Sequence, residues 1–229
     1  MICSSNNAHA FGKKRKAHND QDEKYFTIAS EEIVELEDQG FGTMGNLDYM
    51  ALEFDPELPS NFHIMNPVST VEGIITIGSK IWKIIEANKP VVNVVHQSAS
   101  ALPQGVDSWL DLENWQPPVS KVYMVKYKNL YGMEVVRYSF RVMFTHSGQF
   151  NGKGRYISKV SAMPADLAVS WGYTFNSEAV VGDTVNLGTL DSPVAGMELT
   201  INWKVDTVMR HMNQSETFFV TGDGRFDRH

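Results

Sequence analysis

After Glu134, every even position up to residue 144 is apolar: Val136, Tyr138, Phe140, Val142 and Phe144. The pattern returns twice downstream. Leu167, Val169, Trp171, Tyr173 and Phe175 alternate with Ala, Ser, Gly and Thr, and Met197, Leu199, Ile201, Trp203 and Val205 alternate with Glu, Thr, Asn, Lys and Asp. Successive side chains of a strand point to opposite faces, so a strict period of two fits a sheet with one face in a core and one in water. Turn-forming residues separate these runs at Asn129–Gly132, Ser147–Gly154, Asn176, Gly182-Asp183, Asp191–Pro193 and Asn213. The spacing predicts a mainly β chain, an antiparallel β-sandwich of about seven to nine strands.

One segment departs from this period. After Pro67, Val71, Ile74, Ile75, Gly78, Ile81, Trp82 and Ile85 recur at helical spacing, Ser69 and Glu72 have the form of a capping box, and Pro90 closes the run. This predicts one packed amphipathic helix over residues 69–88, although Gly73 and Gly78 each cost a helix about 1 kcal/mol relative to alanine. Val91–Val95 reads as a buried strand, and 97–118 as a loop rich in Ser, Pro and Trp. Residues 1–24 are polar and aperiodic, which predicts a disordered or processed N-terminal tail and leaves 25–229 as a single sandwich domain.

Composition narrows the classes. Hydrophobic residues make up 42% of the 229, enough to build a core. Cys3 is the one cysteine, so neither an internal disulfide nor a cysteine-rich zinc site can form. No run reaches the about 18 uncharged apolar residues of a membrane-spanning helix. Ala8-His9-Ala10 has the small-x-small form of a signal-cleavage site, with the basic run Lys13–Lys16 after it. A truncated start would make the protein secreted or periplasmic; otherwise a cytoplasmic reading holds.

Charge is the main pointer to function. Between Lys121 and Met163 there are eight Lys or Arg and one acid, Glu134, which gives the stretch +7; the whole chain carries −7, so the remainder carries −14. Treating 121–128 and 133–146 as a hairpin puts Lys126, Lys128, Arg137 and Arg141 on one face by strand parity. Extending the sheet to the next strand adds Arg155 and Lys159. Like charges side by side destabilise a sheet by about 0.2–1 kcal/mol per pair, so something should offset them. Two offsets are open. One is the acidic segment Glu31–Asp38, as a short helix or an edge strand lying against the sheet. The other is an anionic partner: a lipid headgroup, a sulfated glycan or an acidic protein surface. Trp109, Trp115 and Tyr131 fall in loops and would add aromatic contacts.

No catalytic fingerprint accompanies these charges. The seven histidines lack metal-ligand spacing, and no HExxH, GxSxG, P-loop or dinucleotide motif occurs. Asp107, Asp111, Glu113 and Asn114 cluster near Trp109 and Trp115, a pattern that a capped loop explains. A net negative chain argues against general nucleic-acid binding. The expected function is a non-enzymatic binding or surface-interaction module with a site at Lys126, Lys128, Arg137, Arg141, Arg155, Lys159, Trp109 and Trp115, with no metal or cofactor. The alternatives are a structural subunit of a homo-oligomer, and an enzyme with an unfamiliar site near His96 and His146.

Overall fold

The computed structural model describes residues 20–37, 69–71, 73–77, 80–84 and 98–229. A helical segment over residues 20–26 leads into strand β1 (Ile28–Leu36). The strands that follow are β2 (Ser69–Val71), β3 (Ile74–Ile77), β4 (Lys80–Ile84), β5 (Ala99–Pro103), β6 (Val119–Asn129), β7 (Glu134–Phe150), β8 (Lys153–Val169), β9 (Tyr173–Asn186), β10 (Ala195–Thr207), β11 (His211–Thr221) and β12 (Phe226–Arg228). Seven form one sheet in the order β1-β6-β7-β8-β5-β3-β2, and five form the second, β12-β11-β10-β9-β4. Every strand pairing is antiparallel.

The alternating residues do what their period requires. Val136, Tyr138, Phe140, Val142 and Phe144 of β7 are buried, as are Met197, Leu199, Ile201, Trp203 and Val205 of β10. The two sets meet between the sheets: the Tyr138 ring lies 4.7 Å from Phe175, Tyr123 lies 4.9 Å from Phe218, and Phe140 lies 6.5 Å from Trp203. Each such side chain removed from water stabilises the fold by about 1.5–3 kcal/mol. The architecture is an antiparallel β-sandwich.

The expected helix at 69–88 is a correction. Its described parts are β2, β3 and β4, with Gly73 at φ +83° in the turn between β2 and β3. Two forces outweigh the apolar spacing. The run is rich in β-branched residues and interrupted by glycines, both of which favour strand and turn over helix. Long-range pairing then supplies partners, β3 with β5 and β4 with β9. Residues 99–103, expected in a loop, form β5, and residues 20–24, expected in the tail, belong to the helical segment. The strand expected at 91–95 lies outside the described residues.

A polar chain that runs from the core to the surface ties the two sheets to the edge strand. Trp203 Nε1 donates to the Tyr127 hydroxyl at 2.7 Å, the hydroxyl donates to Glu31 Oε1 at 2.9 Å, and Gln214 Nε2 reaches Glu31 Oε2 at 2.9 Å. Tyr127→Phe leaves the indole N–H without its acceptor, an expected loss of about 1–3 kcal/mol in denaturant unfolding. Adding Trp203→Phe removes the orphan, so the double variant loses less than the two single losses combined. Additive losses would show that the bond contributes nothing.

Candidate functional site

The predicted cations divide between two ends of the first sheet. At the β6–β7 turn, Lys126 pairs in register with Arg137, and Lys128 with Glu134 across a bulge. This register is two residues from the expected one and keeps its parity, so Lys126, Arg137 and Arg141 share the outer face. Arg155 and Lys159 lie near the β7–β8 turn. Arg137 pairs with Ala168 on β8, nine residues from Lys159. At about 3.3 Å per residue that is about 30 Å.

Acids and burial consume part of the patch. β1 pairs with β6 as an edge strand and puts Glu32 across from Lys126. Lys121 bonds Glu35 at 3.0 Å. The guanidinium of Arg137 reaches Asp166 at 2.8 Å and Glu134 at 3.2 Å, and the hydrogen bond to Asp166 raises its pKa. Arg141 is 4% exposed and donates to Ser120 Oγ at 3.2 Å. Lys126 and Lys128 form no ion pair among the described residues, and Lys128 is exposed.

At the far end, Lys159 sits at φ +54° with its ammonium 4.1 Å above the Trp109 ring. Trp109 meets Trp115 edge-on at 6.5 Å, and Trp115 Nε1 donates to the Trp109 carbonyl at 3.2 Å. Trp115 covers Gly148, where any Cβ would strike the indole. Both tryptophans are half-buried and pack against the hydrophobic core cluster. Arg155 is exposed and bridges Val194 through its backbone. Asn114, from the acidic loop, bonds Gln149 at 2.8 Å, and no metal-holding cluster occurs among the described residues.

A group that the sequence reading did not find lies at the Lys126 end. Three turns converge there: 130–133, 170–172 and 207–210. The end of the helical segment, with Thr27 after it, binds two of them and the root of the third. Leu130 N donates to the Thr27 carbonyl at 3.1 Å, Tyr25 OH to the Trp171 carbonyl at 3.0 Å, and Thr207 Oγ1 to the Phe26 carbonyl at 3.3 Å. Local side chains fix each turn. Asn129 Oδ1 accepts from Tyr131 N at 3.0 Å and Met133 N at 3.1 Å, and Thr207 Oγ1 accepts from Arg210 N at 2.9 Å. Gly172 takes φ +80° directly over the Phe26 ring. These rigid turns carry large apolar side chains in the open: Trp171 is 79% exposed, Val208 77%, Leu130 53%, Met133 52%, Met209 50% and Tyr131 48%. Single exposed apolar residues need no explanation, but a cluster on convergent turns is a candidate contact surface. Trp171 was expected in a core-facing strand; the turn at Gly172 divides that strand into β8 and β9 and leaves the indole outside.

His146 lies at the other end. Its Nδ1 is 3.0 Å from Ser147 Oγ, and a Cβ on Gly224 would come within 2.7 Å of its ring. Burial lowers its pKa below the ordinary histidine value, with Asp223 pulling the other way. The neutral ring is therefore favoured in the folded state. The unfolded chain takes up this proton first, so stability is full above about pH 6.5 and falls as pH drops through that value. His146→Gln should flatten the thermal midpoint between about pH 7.5 and pH 5.5. An unchanged pH profile would remove His146 as the source. His96 lies outside the described residues.

The fold and these exposed groups define an antiparallel β-sandwich with an apolar, lysine-flanked end. No family model, no curated protein and no solved structure matches the chain.

Proposed function

We propose that the protein is a non-enzymatic surface-binding module, and that the surface is an anionic lipid bilayer met by the end carrying Lys126 and Lys128. The observation that carries this reading is the set of six open apolar side chains on three convergent turns, beside two lysines without ion-pair partners among the described residues. The side chains project from separate turn tips. A bilayer interface accepts such projections, with Trp and Tyr at the headgroup level and Leu, Val and Met below it. The lysines add attraction to anionic headgroups of about 1 kcal/mol each. No helix among the described residues is long and apolar enough to cross a membrane.

Vesicle sedimentation tests the reading. The protein should bind phosphatidylcholine vesicles more tightly when they contain phosphatidylserine. Lys126→Gln with Lys128→Gln should remove most of that difference, about 30-fold in partition coefficient, and leave binding to neutral vesicles unchanged. Arg137 and Arg141 are poor choices for this test, because one is ion-paired and the other buried. Failure to bind either vesicle would overturn the proposal. Concentration-dependent dimerisation that is lost with Trp171→Ser would favour the alternative, in which a second copy covers the same end.

A further inference from the structure

The outer face of the second sheet holds a separate feature. A depression of about 530 Å³ is lined by Asn176, Glu178, Asn202, Lys204, Asn213 and Ser215, with the backbone of β9, β10 and β11 as its floor. Register arranges the side chains in two rows. Asn176 lies opposite Lys204 and Lys204 opposite Asn213; Glu178 lies opposite Asn202 and Asn202 opposite Ser215. Their neighbours in sequence, Ser177 and Trp203, are buried beneath, so parity turns these six outward.

The rows differ from the rest of that face. On one side, Asp206 pairs with Lys204 at 2.9 Å and with His211 at 2.6 Å. On the other, Thr200 bonds Thr217 at 3.1 Å and Glu198 at 3.4 Å. Between them, the side chains of Glu178, Asn202, Asn213 and Ser215 make no hydrogen bond to any described residue. These four polar side chains sit together between the paired groups on either side.

The chemistry of the lining selects a ligand class. A side-chain amide donates and accepts together, as a hydroxyl does, so rows of amides with one serine match a surface of hydroxyl groups. Lys204 is the one cation of the six; it is already ion-paired, and Glu178 faces the same space, which disfavours a phosphate or sulfate. The lining is amide, hydroxyl and charged, which disfavours the apolar ligand of an ordinary pocket. β10, the central strand beneath the depression, is hydrogen-bonded on both edges, so a ligand lying over it is held by side chains and not as an added strand. We propose that this depression binds an uncharged saccharide, with Asn202 and Asn213 as the central contacts and Glu178 accepting from a sugar hydroxyl.

The test uses the full chain on an array of neutral oligosaccharides built from hexose, pentose and N-acetylhexosamine units, with calorimetry on the strongest binder. Asn202→Ala and Asn213→Ala should each weaken that binding about tenfold, the cost of leaving a ligand hydroxyl unpaired. Amide resonances of residues 176–178, 202–204 and 213–215 in the unmodified protein should shift on adding the sugar. These shifts decide the matter even if a variant folds poorly. Lys126→Gln with Lys128→Gln should leave sugar binding unchanged, and Asn202→Ala should leave vesicle binding unchanged, so the two sites fail separately. Retention of acidic glycans alone, no retention of any neutral glycan, or shifts confined to other strands would overturn the assignment.

Discussion

Replacing Trp171 and Val208 together by serine should lower partitioning onto phosphatidylserine-containing vesicles by about 100-fold, from the apolar area those two side chains would bury. The folded protein should not notice. Both side chains are more than three-quarters exposed, at 79% and 77%, and neither belongs to the buried cluster between the sheets. The thermal midpoint should therefore stay within about 2 °C of the parent, since exposed substitutions away from caps and core cost little. The opposite substitution pattern gives the control. Leu110, 71% exposed on the short 3-10 turn Trp109–Asp111, is as open as Trp171 but lies near Lys159 at the other end. Leu110→Ser should leave partitioning unchanged. Equal losses from both ends would mean that vesicles collect the protein through general stickiness. A loss confined to the Trp171 end would fix the orientation of the sandwich on the bilayer.

The physics that made some features legible in the sequence explains why others were not. Strands β7 and β10 could be read because one face of each lies in the core, and burial imposes a period of two. Parity within one hairpin is local, so the common face of Lys126, Arg137 and Arg141 could also be inferred. Their neighbours could not. β1 sets Glu32 across from Lys126 in register, and Asp166 reaches Arg137 from the far part of β8, through pairings that no local pattern reveals. The same holds for Arg155 and Lys159: register shifts between β7 and β8 after Met143, and the left-handed backbone at Lys159, break the parity count. The segment at 69–84 carries a helix-like apolar spacing, yet its pairing with β5 and β9 decides its structure. At Trp171 a signal was present in the glycine that follows it, but alternation on both sides hid the turn. The rows around Asn202 and Asn213 read as an ordinary solvated face, since only the folded arrangement brings Glu178, Asn202, Asn213 and Ser215 together without hydrogen bonds to described residues.

Gly222→Ala should be the most damaging single-atom-scale change in the described part of the chain, about 3 kcal/mol or more and about 6–12 °C in thermal midpoint for a domain of this size. The position joins three strands. Gly222 N donates to the Ala195 carbonyl of β10 at 2.7 Å, and its own carbonyl accepts from Ser147 N of β7 at 2.9 Å. A Cβ there would fall on the Arg155 carbonyl of β8, backbone against backbone, where no rotamer change gives relief. Relief by moving Arg155 would strain its bridge to Val194 and its bond to the Pro193 carbonyl at 2.8 Å, which tie β8 to the second sheet. Gly152→Ala separates this steric cost from the cost of the backbone itself. Gly152 has φ +69° and nothing within 4 Å of its would-be Cβ, so alanine there costs only the left-handed conformation, about 1 kcal/mol. Urea unfolding of the two variants should rank Gly222→Ala well below Gly152→Ala. Equal losses would mean that β8 yields at Arg155, and that the two sheets are not firmly joined at this end.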